Sequence, residues 1–276
     1  IIAHIHTDCQ AGDAVRLQWR LDKSGNATAF AQPVKPDEHM MDDVQMREMT
    51  LDPKHRRVLV TDGRTALGQA VAKAMSEKIP RVEIMPLDIT DHDSVFDLAN
   101  EIGARVDIVV NTGQHIRPGG LLERRGVTVA REEMDAGYMG FLRLVQAFAP
   151  VMKFRGADGV NNACAWVNIL SVYAQMPWPA YAAYSAAQAA LYNASLSLRA
   201  ELCEGGIRVL HLFTGPTEDE WFQPLPPPKV AYSQIAKSVV ESLKAGLEDV
   251  YVGDIAQDFK SRLDANPKAL EREIGQ

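Results

Sequence analysis

Two stretches near the start of the chain alternate apolar and polar residues with the period of a strand, Val15–Leu21 and Ala27–Val34. Between them Asp22-Lys23-Ser24-Gly25-Asn26 concentrates turn-forming residues, which predicts a β-hairpin. Residues 35–57 are polar and acidic with no apolar face and read as a linker. From Arg57 the pattern changes. Short apolar runs at 57–60, 81–87, 107–111, 165–170, 207–213 and 250–253 predict strands. Longer amphipathic or Ala-rich runs between them predict helices at about 65–78, 91–103, 131–154, 180–203 and 231–247, with a polar helix at the C-terminus. The proline run 224–229 breaks the chain. Strands that alternate with helices need crossover connections. The fold class expected is therefore α/β, a doubly wound parallel sheet with helices on both faces. The domain organisation expected is a hairpin and linker over 1–55 and one α/β domain over 56–276.

Composition narrows the function classes. With 276 residues and 46% hydrophobic content the chain has material for one large core. Its net charge is −7 and no basic stripe appears, which argues against a nucleic-acid partner. No apolar run approaches the ~18 residues that a membrane span needs. The three cysteines, Cys9, Cys164 and Cys203, are odd in number and widely spaced, as expected of free thiols in a reducing compartment, so a cytoplasmic location is expected. The first residue is Ile and no signal-peptide pattern follows, so the chain reads as one that begins inside a longer polypeptide.

The chemistry-bearing stretches come in a fixed order: VLVTDGRTALG (58–68), LDITD (87–91), DIVVNTG (107–113), NILSV (168–172), YSAAQ (184–188) and GIRVLHLFTGP (206–216). Together they resemble the short-chain dehydrogenase/reductase family, over about residues 57–276. The resemblance implies a Rossmann-type fold, NAD or NADP as cofactor if one is bound at all, and hydride transfer at a carbonyl or alcohol carbon. It implies a proton-passing tyrosine at Tyr184, a serine at Ser171 that bonds the substrate oxygen, and Gln188 in the place of the family's ribose-holding lysine. It implies cofactor contacts at Asp62, Gly63, Arg64, Leu67, Gly68, Asp88, Ile89, Asn111, Thr112, Gly113, Gln188 and Gly215. It also implies that helix 180–203 and the helix before it pack on a second subunit. The partner is then another copy in a dimer or tetramer, or an active paralogue.

Several of these positions depart from the family pattern. A free phenol titrates near pH 10 and a neighbouring ammonium favours its anion. A neutral amide at Gln188 supplies no such charge. Each pKa unit of depression lost means roughly tenfold less phenolate. The asparagine that the family uses to hold a relay water falls at Gly137, which has no side chain. In the phosphate turn the family's first and second glycines fall at Asp62 and Ala66, leaving Gly68 and an extra Gly63. Asp62 brings negative charge to the place where a phosphate would approach, whereas Arg64 offsets it or meets an adenosine 2′-phosphate. Only twenty residues separate Gly68 from Asp88, room for one strand where the family has a strand, a helix and another strand. Strand 82–87 is then expected to lie beside strand 57–61, with Asp88 at the spacing of a dinucleotide fold's ribose acid. The N-terminal hairpin is a candidate cover for the sheet edge so created.

The N-terminal segment 12–34 resembles the last strands of hot-dog-fold acyl dehydratases, where a Gly-Asp turn opens such a pair. That implies descent from a hydratase–dehydrogenase fusion and no hydratase chemistry. His4, His6, Asp8 and Cys9 read as terminal polar residues rather than a metal site. Trp178 and Trp221 either line a substrate pocket or fill space. Three functions follow: a redox-silent structural subunit, an active NAD(P)-dependent oxidoreductase with unusual acid–base support, or a sensor that binds a ligand in the old cleft.

Overall fold

The computed structural model describes residues 6–7, 15–21, 27–33, 56–76, 85–157, 165–203 and 205–275. The chain divides into two compact units, Ile1–Arg47 and Glu48–Gln276. In the first, β2 (Val15–Leu21) runs antiparallel to β3 (Ala27–Pro33), with Val15 opposite Pro33 and Leu21 opposite Ala27. A two-residue strand β1 (His6–Thr7) pairs parallel to β3. The turn 22–26, most of the linker, and His4, Asp8 and Cys9 lie outside the described residues.

The second unit is a five-stranded parallel sheet whose spatial order is its chain order: β4 (Val58–Val60), β5 (Ile108–Asn111), β6 (Ala165–Ser171), β7 (Arg208–Thr214) and β8 (Asp249–Val252). Alternation along each strand builds two cores. Val109, Trp166, Leu170, Val209 and Phe213 face one side, where they meet α2 (His92–Ile102), α4 (Gly140–Ala157) and α5 (Ala182–Cys203). Ile108, Val110, Val167, Leu210 and Leu212 face the other, against α1 (Ala66–Ser76) and α6 (Tyr232–Ala245). Strands buried on both faces read as continuous apolar runs, which is why IVV and VLHLF were legible. Two helices, α7 (Asp254–Ala265) and α8 (Pro267–Ile274), close the C-terminus, where one polar helix was expected. Asn266 divides them with extended backbone, and its side chain accepts from Ala269 N at 3.1 Å.

Two expectations are corrected. Residues 81–84 lie outside the described residues, and 85–88 form no strand. The backbone around Asp88 is committed elsewhere: its N–H donates to Ser94 Oγ at 2.9 Å, and its Oδ1 accepts from Thr90 N and Thr90 Oγ1. Among the described residues β4 therefore pairs with β5 alone. The single helix expected over 131–154 begins earlier, as α3 (Thr128–Met134). It passes through a π-helical turn at Asp135–Met139 and continues as α4. Gly137, without a side chain, sits in that turn.

Candidate active site

Segments that follow the carboxyl ends of β4, β5 and β7 line one cleft, at the end of the sheet where open α/β folds generally bind ligands. After β4 the chain turns through Thr61–Thr65 into α1. Thr65 organises the turn: its N–H and Oγ1 both donate to the Asp62 carbonyl at 2.9 Å, and its Oγ1 accepts from Gly68 N at 3.1 Å. The turn forces Asp62 to φ 55°, left-handed backbone that a side chain rarely adopts. Gly68 is required by the turn itself, because a Cβ there would stand 2.4 Å from the Asp62 carbonyl oxygen.

The end of β5 is locked by a buried polar network. Asn111 Oδ1 accepts from Thr61 Oγ1 and Gly113 N, and Asn111 Nδ2 donates to Asn168 Oδ1 at 3.3 Å. Thr112 Oγ1 donates to the Thr61 carbonyl at 2.5 Å, and Thr112 N to Thr61 Oγ1. Asn111 and Thr112 thus tie β4, β5 and β6 together. Gly113 gives Ile89 its seat, since a Cβ on it would lie 2.3 Å from Ile89 Cδ1. Gly215 does the same for Ile255, at 2.9 Å.

Ser171 ends β6, and Tyr184 and Gln188 lie one turn apart on α5; all three are buried. Gln188 Oε1 accepts the backbone N–H of Ser171 at 2.9 Å, so this amide clamps α5 to the end of β6. Ser171 Oγ caps the short 3₁₀ turn 172–174 by accepting from Tyr173 N at 3.2 Å. The Tyr184 hydroxyl donates to Gln114 Oε1 at 2.8 Å. Burial pushes the Tyr184 phenol far up. The neighbouring Tyr173 and the carboxyls of Asp219 and Glu133 push it further, against a hydrogen bond from Ser171 that works the other way.

Residues outside the sequence-derived set complete the site. Gln114 follows Gly113 at the mouth of β5; an amide in the loop just past a strand's carboxyl end was the available signal. The loop carrying it is pinned by Glu133, fully buried, which accepts from Arg117 N at 3.1 Å and pairs with Arg124 at 2.9 Å. On the far side the segment after β7 folds over the tyrosine. Phe222 is buried among Tyr173, Tyr181 and Tyr184, with ring centroids 6.5, 5.2 and 6.2 Å away. The Trp221 carbonyl accepts from Tyr181 Oη at 2.7 Å. Arg117 lies 3.9 Å over the Trp221 ring, which gives Trp221 a wall position. Trp178 stacks on Tyr173 at 5.6 Å. Gly137 is buried beside α5, and a Cβ there would meet only Ala187 Cβ at 3.6 Å, so the absent side chain is not excluded by space.

What remains open is a cleft of about 310 Å³ lined by Asp62, Thr65, Leu67, Thr112, Gln114, Arg117, Asp219, Trp221 and Tyr232, among others. That is the lower end of small-molecule pockets. A dinucleotide does not fit the residues present. Asp62 occupies the wall at the start of α1, where a pyrophosphate would seek N–H groups. Ile89 covers Gly113, Asp88 is engaged by Thr90, and Gln188 Oε1 is engaged by Ser171. Arg64 is exposed and acts on both Asp62 and Asp88 as a counter-charge.

The geometry meets its relatives in comparison with known proteins. The family described as short chain dehydrogenase matches residues 49–229. An uncharacterized oxidoreductase of Mycobacterium tuberculosis is 26% identical over 201 residues, 62% of this chain and 57% of that protein. A 3-dehydrosphinganine reductase of Arabidopsis thaliana is 26% identical over 206 residues, 65% of this chain and 60% of that protein. The chain thus spans somewhat over half the length of these curated relatives. Among solved structures, a short chain dehydrogenase from Burkholderia cenocepacia in complex with NADP is 28% identical with a TM-score of 0.75, covering 81% of this chain and 99% of that one. A short-chain dehydrogenase from Streptomyces avermitilis, at 23% identity and TM-score 0.65, shows the same fold over 79% of this chain and 96% of that one. On these matches, and on the order of sheet, turn, Ser171 and Tyr184, the chain belongs to the short-chain dehydrogenase/reductase family.

Proposed function

We propose that this chain is a redox-silent member of its family, one that keeps the fold and the assembly surface and has given up hydride chemistry. The observation that carries the reading is the state of Tyr184. Its hydroxyl is a buried donor to Gln114, and the charges that act on it, Asp219 and Glu133, are negative. Acid–base catalysis needs a group whose pKa lies near the working pH. Here burial and charge move the phenol away from it, and Gln188, spent on Ser171, brings no compensating cation.

Its role is then structural, as a subunit beside a second copy or an active paralogue. The outer faces of α4 and α5 supply the surface. A concavity of about 800 Å³ runs between them, lined by Tyr138, Phe141, Leu142, Val145, Ala194 and Leu198 among others, and Met139 is exposed at its side. Residues 12–34 are read as the remnant of a dehydratase-like strand pair joined to this domain.

A second reading is an active NADP-dependent oxidoreductase. It is favoured by Arg64 beside the turn and by the Burkholderia relative, whose structure was solved with NADP. Assay of the full chain with NADPH and NADP over a panel of ketones and alcohols separates the two. Absence of turnover is expected, and steady turnover refutes the proposal. The pair Gln188→Lys and Gly137→Asn, added together, is expected to leave the chain inactive while the cleft excludes the dinucleotide.

A further inference from the structure

Asp62 stands in a conformation that costs its residue type something. At φ 55° it is the one non-glycine residue with positive φ among the described residues. Glycine reaches that region freely, whereas Asp visits it at a cost that is offset only if something is gained. The bonds that fix the turn run through its main chain, with the Asp62 carbonyl held by Thr65 N and Thr65 Oγ1. Neither bond uses the carboxyl, so a glycine would make the same turn. Asp62 lines the cleft together with Thr65 and with Ala66 and Leu67 at the start of α1.

The start of an 11-residue helix attracts anions, through its free N–H groups and its dipole. A carboxylate on that same wall repels them. It also sits in a partly desolvated place, where charge–charge repulsion is stronger than in water. Burial and the nearby Asp88 raise its pKa while Arg64 lowers it, so the electrostatic tension is local to this turn.

We infer that Asp62 is a specificity residue that keeps phosphate-bearing nucleotides out of the cleft. This deepens the reading above, on which it rests for the cleft's loss of function, and names the charge in the turn before α1 as one cause of that loss.

The test measures binding and not turnover. NADPH is titrated into the full chain by calorimetry and by the nucleotide's own fluorescence, with the wild type, Asp62→Gly and Asp62→Asn side by side. Asn keeps the left-handed backbone accessible and removes only the charge. The wild type is expected to show no saturable binding at millimolar nucleotide. Both variants are expected to bind at least tenfold more tightly, with the Asp62→Gly melting temperature at or above that of wild type. Three results overturn the inference: variants as weak as wild type, a wild type that binds as tightly as the variants, or a gain in Asp62→Gly that Asp62→Asn lacks. If Asp62→Gly does not fold, Asp62→Asn decides alone. Failure of the redox-silent reading looks different, since it appears as turnover by the wild type whatever the variants bind.

Discussion

A phenol that exchanges protons with a carbonyl needs its anion stabilised, and at Tyr184 burial, Tyr173, Asp219 and Glu133 act against that while Ser171 alone favours it. The substitution at Gln188 reaches beyond the lost charge. Its Oε1 is the acceptor for the buried Ser171 N–H, a role that lysine, with donors only, is unable to fill. The residue has been recruited into structure. Gln188→Lys therefore leaves a buried donor unpaired, at a cost of about 1–3 kcal/mol, roughly 2–10 °C in melting temperature for a domain of this size. Thermal unfolding followed by circular dichroism checks this; an unchanged midpoint would show that the Ser171 bond carries no weight. At this scale the sequence was informative where a residue type forbids a role and silent where partners matter. The absent charge at position 188 was legible. That Gln114 and Gln188 divide the polar contacts of Tyr184 and Ser171 between them depends on groups 70 and 17 residues apart.

Helix α5 carries Tyr184 and Gln188 at one end and a buried polar relay at the other. Ser195 Oγ lies 2.5 Å from His211 Nε2, His211 Nδ1 lies 2.9 Å from Asp249 Oδ1, and Arg199 Nη2 reaches the same carboxylate oxygen at 2.7 Å. The relay joins α5 to β7 and β8. Ser195 and His211 have no exposed surface, so it acts as a fastener and offers no nucleophile to a substrate. Burial pushes the His211 pKa down against the pull of Asp249. Burial alone would raise Asp249, but the bonds from His211 and Arg199 outweigh it and hold its carboxyl at about 2. Both shifts have the same consequence. Between their folded and unfolded values the unfolded chain binds more protons, so stability rises with pH. The His211 share is fully present above its unfolded value of 6.5 and is lost as pH falls through the lowered folded value. The Asp249 share is lost between 3.8 and about 2. Asp249 is partly exposed, so screening leaves its share at about 1 kcal/mol. Urea unfolding at pH 7.5 and 5.5 should show His211→Gln less pH-dependent than wild type; equal slopes would contradict the assignment. Elements themselves were read from periodicity to within a few residues. The exceptions have physical causes: Asp88 spends its polar groups on a local turn, and a π turn around Gly137 interrupts a helix whose apolar pattern continues across it.

For the whole molecule, a parallel sheet with both faces buried followed from strand–helix alternation, whereas the sixth strand expected at 81–87 is not among the described strands. The seat of Phe222 among three tyrosines was not legible, because that packing is a tertiary event with no local signature. Among the described residues no helix is long and apolar enough to cross a membrane. If α4 and α5 form the assembly surface, Val145→Arg at its half-buried centre should shift sedimentation from an oligomer toward the monomer mass without lowering the melting temperature of the isolated subunit. An unchanged sedimentation coefficient would place the interface elsewhere. The redox-silent reading itself is tested most directly by single-turnover hydride transfer. The full chain, in excess over NADPH at neutral pH, is mixed with a carbonyl panel and the 340 nm absorbance is followed. The expected result is decay no faster than the protein-free control for every carbonyl; decay that the wild type accelerates and Tyr184→Phe abolishes would contradict the reading.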